Sequence, residues 1–158
     1  MDHGPRLAKA LLEMARGGIS RPLDAFADHP LADEWHDFAH AAVCAHLDSR
    51  RGLVYVASNP VHVGLYKVGS TAGETTAARL KSLRTAGVVG EFHEIESFAC
   101  LDRFGAERRA HRAMATQSQQ HKEFFVTDHR TVTDVVRDCV ASDNAALEKA
   151  FPWIGHVA

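Results

Sequence analysis

The chain has 158 residues, of which 46% are hydrophobic and 24% are charged, a composition that excludes a disordered or fibrous protein and predicts one globular domain with an appendage. The formal net charge of −2 argues against indiscriminate nucleic-acid binding. The charge is uneven, however. Residues 49–127 carry 11 basic and 7 acidic side chains between two acidic ends, which indicates either ordinary scatter or a basic binding face on a central domain.

Residues 1–48 predict a helical extension. Apolar side chains at helical spacing indicate one helix over residues 6–16, ended by Gly17-Gly18, and a second over about 31–47. We expect this pair of helices to dock on the central domain, to form a homodimer contact or to bind another protein. The polar stretch 48–51 is the expected boundary with the domain that follows.

The sequence carries no strong disulfide, zinc or membrane signal. Its three cysteines are far apart and lack a CxxC motif, so we expect reduced thiols in a cytoplasmic protein. We expect no signal peptide, because Lys9 and Glu13 make the N-terminal apolar patch too charged and too short, and no membrane span, because no later apolar run is long enough. His36 and His40 lie one helical turn apart near His46 and could bind a metal, but without a further fixed ligand they are better interpreted as solvated or capping histidines.

A β-hairpin is predicted next. Two β-rich runs, 53–57 and 65–69, flank the turn-forming cluster 58–60, and the second run continues as Tyr-Lys-Val-Gly-Ser-Thr. If pairing is symmetric about the loop, Tyr55 faces Lys67 with Cβ atoms about 5 Å apart. This places a phenol beside an ammonium, either as a chemical site or as the structural pair that half-buried Tyr and Lys usually form.

A helix and a third strand are predicted after the hairpin. The helix covers residues 75–86 and ends at Gly87, with a threonine suited to capping its start. Arg79 borders the apolar stripe of this helix, from which it either reaches into solvent or points across the sheet at an anion. Residues 91–99 alternate apolar and polar with one break in phase, which predicts a strand with a bulge.

A further helix over residues 102–115 has an unusual polar pattern. Glu107 and His111 share its face with apolar residues. Burying an unpaired carboxylate is costly, so Glu107 is expected to pair with His111, to bind a metal or to lie in a cleft. Positive charge for a polyanion is supplied by four arginines of the same helix: Arg103, Arg108, Arg109 and Arg112.

The remaining sequence predicts a short strand or turn over 121–126, a last helix over 128–140, and an apolar segment, Phe151–Ile154, that must dock on this chain or another. Together the elements predict an α+β fold in which helices flank a small three-stranded antiparallel sheet. The expected domains are a helical extension (1–48), a central domain (49–142) and a C-terminal tail (143–158).

The order of these motifs resembles the GIY-YIG nuclease superfamily, and more closely its small phage T-five type DNA-binding branch, over about residues 52–127. The specificity lies in the series, since each motif alone is weak. Tyr55 matches the tyrosine of the first motif, and Lys67-Val68-Gly69 matches the second, with lysine in place of the usual tyrosine. The other matches are the helix arginine Arg79, the metal-binding glutamate Glu107, and the branch's own His111, Glu123 and Phe124.

The resemblance implies a divalent-metal-dependent endonuclease that hydrolyses DNA, or alternatively RNA. Tyr55 is then the base, and the ammonium of Lys67 is expected to lower the pKa of the phenol. Arg79 binds the phosphate bidentately, and Glu107 holds one Mg²⁺ or Mn²⁺. The remaining roles are water or phosphate positioning by His111, assistance to the metal by Glu123, and DNA contacts by Lys81, Arg84, Arg108 and Arg112.

Two alternative functions remain open. The lysine in the second motif favours a DNA-binding module of the same fold that does not catalyse hydrolysis and whose affinity falls steeply with salt. The helical extension favours an effector that engages a protein partner through residues 1–48.

Overall fold

The structure is a computed structural model that describes residues 3–85 and 87–155. Within those residues the chain forms five α-helices, two short 3₁₀ helices and one five-stranded sheet, so the expected α+β class is confirmed. The helices are α1 (Gly4–Arg16), α2 (Ala32–Asp48), α3 (Ala77–Ser82), α4 (Arg103–Ala115) and α5 (His129–Ala150), and the 3₁₀ helices are Pro22–Phe26 and Pro152–Ile154. The strands are β1 (Gly52–Ser58), β2 (Leu65–Thr71), β3 (His93–Cys100), β4 (Gln119–His121) and β5 (Phe124–Val126). No helix among the described residues is long and apolar enough to cross a membrane.

All neighbouring strands are antiparallel, in the order β3-β1-β2-β5-β4. The prediction of three strands is therefore wrong in number, because the hairpin of β4 and β5 extends the sheet beyond β2. Each of these two strands has three residues, and β4 is polar and exposed, so neither shows a clear apolar alternation. The pairing of β1 with β3 contains a register shift between Val56 and Ala57, which agrees with the expected bulge.

The hairpin of β1 and β2 has a different register from the expected one. Tyr55 lies opposite Gly69, and Lys67 lies opposite Ala57, so the predicted direct pairing of Tyr55 with Lys67 is wrong by two residues. The assumption of a symmetric loop fails because β1 continues through Ser58. Side chains alternate along a strand with a period of two, so Tyr55 and Lys67 remain diagonal neighbours on one face.

Two helices differ in length from their predictions. α3 is shorter than the predicted range 75–86, and the Thr76 hydroxyl at its start donates to Glu94 instead of capping the helix. α5 continues ten residues past the predicted end at Val140. The expected boundary between residues 142 and 143 therefore falls inside a helix.

Each face of the sheet has its own apolar core. Val56 and Val68 project from one face and pack against α4 and α5. Tyr55 and Ala57 project from the opposite face, where they contact Leu80 of α3. β1 contributes to both cores because its successive side chains alternate between faces.

A third apolar core lies between α1, α2 and the end of α5. Leu11 of α1, Val43 of α2 and Leu147 of α5 are buried in it. Phe151 and Ile154 enter the same core. The apolar C-terminal segment thus docks on the helices of its own chain.

A buried ionic cluster joins α1 to α4 and α5. Arg16 donates from Nε to Asp143 and from Nη2 to Asp102, both at 2.8 Å. Arg50 donates to the other oxygen of Asp102 at 2.8 Å. Both carboxylates are almost inaccessible, with exposures of 1% for Asp102 and 0% for Asp143. A Cβ on Gly105 would collide with the Arg16 guanidinium, so this glycine makes room for the cluster.

Candidate active site

Tyr55 is fully buried in β1, and its ring lies against Gly69 of β2. A Cβ at position 69 would come within 2.6 Å of the Tyr55 hydroxyl oxygen and 2.8 Å of Cζ, so a larger residue would displace the ring. The hydroxyl makes no hydrogen bond of normal geometry with any described residue. An unsatisfied buried phenol is unfavourable for folding, so a group of this kind calls for an explanation other than stability.

Lys67 lies on the same face of β2, and only 2% of it is exposed. Its ammonium pairs with the carboxylate of Glu123 and lies 5.4 Å from the centre of the Phe124 ring. Both partners come from the hairpin of β4 and β5. Glu123, for which the sequence analysis expected a role at the metal, is therefore the ion-pair partner of Lys67.

Arg79 supplies the positive charge that acts on Tyr55. Burial raises the pKa of Tyr55 above its usual value, while the charge and hydrogen-bonding capacity of the exposed Arg79 oppose this increase. The pKa of Lys67 is lowered, first by burial and then by Arg79. The expectation that Lys67 lowers the pKa of Tyr55 is therefore wrong. The cation that lowers the pKa of Tyr55 is Arg79, and the increase caused by burial is larger than this decrease.

Glu107 of α4 is positioned by contacts near both of its carboxylate oxygens. The Ser70 hydroxyl donates a short hydrogen bond to Oε2, and His111 Nε2 lies 3.8 Å from Oε1. The same nitrogen of His111 donates to the backbone carbonyl of Val68 at 2.9 Å, and its ring meets that of Phe125 edge-on. The Glu107 side chain is 19% exposed, so it is held in place yet accessible to a ligand.

These two groups of residues meet at an open edge of β2. β5 pairs with β2 from Leu65 to Lys67, and among the described residues no strand covers the edge at Ser70. Glu107 reaches this edge from α4, on the face of the sheet opposite Tyr55. The carboxylate bonds to Ser70, which directly follows Gly69, the residue that lies against the Tyr55 ring.

Sequence reasoning located most of these side chains but missed Ser70. The structure brings Tyr55, Lys67 and Arg79 together on one face and places Glu107, with His111, at the adjoining edge. A signal for Ser70 was present, because the residue that follows Gly69 in a strand must point to the opposite face, where α4 packs.

The expected DNA contacts fall in two separate clefts. Lys81 and Arg84 line a groove between α3 and β3, where Arg84 pairs with Glu91 at 2.6 Å. Arg108 and Arg112 line a different cleft, between α1 and α4. The four side chains thus form two surfaces rather than one.

A metal ion at this site would be held chiefly by Glu107. Among the described residues, no group of three or more His, Cys, Asp or Glu side chains is placed to hold a metal. Mg²⁺ usually keeps several waters and binds one or two carboxylates together with substrate phosphates, so a single oriented carboxylate fits such an ion. The alternative histidine pattern of α2 forms no such group either, and the His40 ring packs against Trp153.

The fold and this arrangement define a small α+β domain with a polar site at an open sheet edge. The chain belongs to the T5orf172 domain family, whose sequence model matches residues 52–140. This family is nuclease-like, and a nuclease or DNA-binding role follows at that coarse level. The match begins with β1 and leaves α1 and α2 outside it. No curated protein and no solved structure matches the chain.

Proposed function

We propose that the protein is a divalent-metal-dependent endonuclease that hydrolyses DNA phosphodiester bonds at a site of the GIY-YIG type. One observation carries the proposal: the Tyr55 ring lies against Gly69, and the next residue of β2, Ser70, binds the Glu107 carboxylate. The charge of Arg79 acts on the same Tyr55 hydroxyl. Membership of a nuclease-like family supports the same chemistry.

Hydrolysis requires a base for the attacking water, positive charge on the scissile phosphate and stabilisation of the leaving oxygen. The phenolate of Tyr55 accepts the proton of the water as the water oxygen bonds to phosphorus. The P–O bond to the leaving oxygen breaks, and its electron pair stays on that oxygen. Arg79 binds phosphate oxygens beside it. Since burial raises the pKa of Tyr55, we expect the cleavage rate to increase as the pH rises into the alkaline range.

Glu107 is the residue that would hold the metal. A divalent cation bound there would supply positive charge to the leaving oxyanion. Ser70 and His111 orient the carboxylate, as outer partners commonly orient metal ligands. Lys67, on the Tyr55 face, is held by its ion pair with Glu123.

Nicking of supercoiled plasmid DNA in the presence of Mg²⁺ or Mn²⁺ tests the proposal. Glu107→Gln keeps the shape of the side chain but removes its charge, and we expect it to abolish cleavage. The matched control is Glu96→Gln, which removes an exposed carboxylate of β3 that pairs with Arg137 at 3.0 Å and should leave cleavage unchanged. Equal nicking by wild type and Glu107→Gln, or no metal-dependent nicking by the wild type, would refute the proposal.

A DNA-binding module without catalysis is the second candidate function. It is favoured by the raised pKa of Tyr55 and by the ion pair between Glu123 and Lys67, which replaces the second-motif tyrosine. This alternative predicts salt-sensitive retention of DNA without nicking. Retention that does not change with ionic strength would contradict it.

A further inference from the structure

A second polar cleft lies between α1 and α4, separate from the site around Tyr55. Its volume is about 380 Å³, which falls within the range of roughly 300–1,000 Å³ typical of ligand pockets. Two glycines complete its wall, and its charged lining consists of Glu13, Arg16, Arg108, Arg109, Arg112 and Asp143.

The positive charges of this cleft are only partly compensated. Arg16 is bound by the two buried aspartates described above and lies 3.2 Å from Glu13. Glu13 is also 3.9 Å from Arg108. The guanidinium groups of Arg109 and Arg112 make no hydrogen bond or ion pair with any residue that the structure describes. Two guanidinium groups are therefore available to a ligand at one end of a concave surface.

The chemistry of these side chains suits a phosphate. The planar fork of arginine binds phosphate oxygens bidentately, and Arg109 and Arg112 are neighbours on the helix at a spacing of three residues. We propose that the cleft between α1 and α4 binds a backbone phosphate of the nucleic acid, as a second contact outside the catalytic site.

α4 connects this cleft to the candidate active site. Arg109 and Arg112 lie about 160° and 140° around the helix from Glu107, at 3.6 residues per turn. Half the circumference of a helix about 10–12 Å across is about 16–19 Å, which corresponds to roughly five nucleotide steps at about 3.4 Å per step. A strand with one phosphate beside Glu107 can therefore place another phosphate in the cleft.

The inference rests on the proposed function for the class of its ligand, and it gives α1 a part in binding. Glu13 and Arg16 precede residue 52, so one wall of the cleft lies outside the segment matched to the T5orf172 domain family. The buried ionic cluster fixes that wall against α4, because Arg16 bonds to the residue that caps α4, Asp102.

The test compares the double variant Arg109→Gln/Arg112→Gln with the charge-matched control Arg21→Gln/Arg130→Gln. The control side chains are 79% and 93% exposed and lie elsewhere on the surface. Binding of a random-sequence DNA duplex is measured by fluorescence anisotropy at several salt concentrations without divalent cations. We expect the cleft variant to bind about tenfold or more weakly at low salt. The slope of log K against log salt should fall by about one to two, since each lost phosphate contact removes about 0.9.

A second pair of variants tests whether removing a negative charge from the cleft strengthens DNA binding. Glu13→Gln removes the acidic side chain that competes with phosphate for Arg108, so it should strengthen DNA binding severalfold. The matched control Glu34→Gln removes an exposed carboxylate of α2 and should have a much smaller effect. Equal effects of Glu13→Gln and Glu34→Gln would contradict the cleft as the binding site.

The outcomes separate this inference from the proposed function. If the wild type cleaves plasmid and the cleft variant binds DNA like the wild type or like its control, the cleft inference is overturned and the nuclease proposal stands. If the wild type does not cleave but its salt-dependent binding requires Arg109 and Arg112, the cleft stands and the nuclease proposal falls. A wild type that neither binds nor cleaves DNA refutes both.

Discussion

The protein contains two polar clusters that are built in opposite ways. In the buried ionic cluster, the carboxylates of Asp102 and Asp143 are inaccessible and both accept hydrogen bonds from Arg16. In the candidate active site, the buried Tyr55 hydroxyl has no hydrogen-bond partner among the described residues, and Arg79 is exposed. A cluster whose members satisfy one another stabilises the fold, whereas a cluster with unsatisfied groups can bind a ligand.

Both clusters depend on a missing Cβ. Gly105 admits the guanidinium of Arg16, and Gly69 admits the ring of Tyr55. The absence of a side chain at Gly105 lets the ions of the buried cluster pair with one another. The absence of a side chain at Gly69 lets the Tyr55 ring lie on the face of the sheet that carries Lys67. The variants below test this difference through the free energy of unfolding and through cleavage.

Arg16→Ala should have the largest effect on stability. It leaves Asp143 buried without its guanidinium partner and Asp102 with Arg50 alone, and removing one member of a buried ion pair typically costs about 3–5 kcal/mol. The free energy of unfolding is measured by urea denaturation. The control Arg21→Ala breaks an exposed pair with Asp24, for which about 0–1 kcal/mol is expected. A similar, small loss in both variants would show that the cluster contributes little to stability.

Gly69→Ala should destabilise the protein less but disable the candidate site. The added Cβ would overlap the Tyr55 ring, and overpacking of this kind typically costs about 1–3 kcal/mol. Gly87→Ala is the control, because a Cβ there meets no atom of the described residues within 4 Å apart from its chain neighbours. Thermal unfolding and plasmid cleavage are measured on both variants. Wild-type stability and cleavage in Gly69→Ala would contradict the placement of the ring.

These two clusters also differ in how well their residues could be predicted from the sequence. Tyr55, Arg79 and Glu107 could be found because a tyrosine in a strand, an arginine beside an apolar stripe and a carboxylate on an apolar helix face are locally unusual, and the order of motifs grouped them. Arg16 and Asp143 could not be found, because they are 127 positions apart and no local pattern marks them as partners. Their pairing follows from the docking of α1 on α5.

The register of the hairpin shows a second limit. The alternation of side chains correctly put Tyr55 and Lys67 on one face, but the residue opposite Tyr55 depends on where β1 ends. Ser58 looks like the start of a turn, yet it still pairs with β2. The β4 strand was missed for a related reason, since Gln119–His121 is stabilised by pairing with β5 and not by apolar burial.

Acid should weaken the ionic cluster. Burial alone would raise the pKa of Asp102, but the hydrogen bond and charge of Arg16 lower it below its usual value. Asp102 therefore contributes stability above its unfolded pKa of about 3.9, and this contribution is lost as the pH falls below that value. The measurement is the difference in unfolding free energy between wild type and Arg16→Lys, which keeps the charge but loses the planar fork. This difference should shrink below about pH 4. A constant difference from neutral to acidic pH would contradict the assignment.

Ser70→Ala should affect the metal requirement more than the stability. The Ser70 hydroxyl orients Glu107, and loss of such an outer partner commonly weakens metal affinity by about 10- to 100-fold. The concentration of Mn²⁺ for half-maximal cleavage should rise accordingly, while the free energy of unfolding falls by only about 1 kcal/mol. Ser70→Thr keeps the hydroxyl and should restore much of the affinity. The control Ser49→Ala removes an exposed hydroxyl at the end of α2 and should change neither quantity. Unchanged metal dependence in Ser70→Ala would show that Glu107 does not need this contact.

Tyr55→Phe should have the smallest effect on stability. The ring and its packing against Gly69 are kept, and the removed hydroxyl has no hydrogen-bond partner, so the free energy of unfolding should stay the same or increase. The Tyr55 phenol is favoured in its neutral form by burial, so its contribution to stability is lost as the pH rises through its raised pKa. The alkaline decrease in stability should therefore be smaller in the variant than in the wild type.

Tyr55→Phe should strongly reduce cleavage, although it has little effect on stability. Loss of the proton acceptor should reduce the rate by about 10²- to 10⁴-fold, the usual contribution of a general base. A variant that is as stable as the wild type but inactive would identify the hydroxyl as a group kept for chemistry. A clear loss of stability would instead mean that the hydroxyl has a structural partner. The Tyr55 site would then resemble the buried ionic cluster, in which Arg16 is bonded to Asp102 and Asp143.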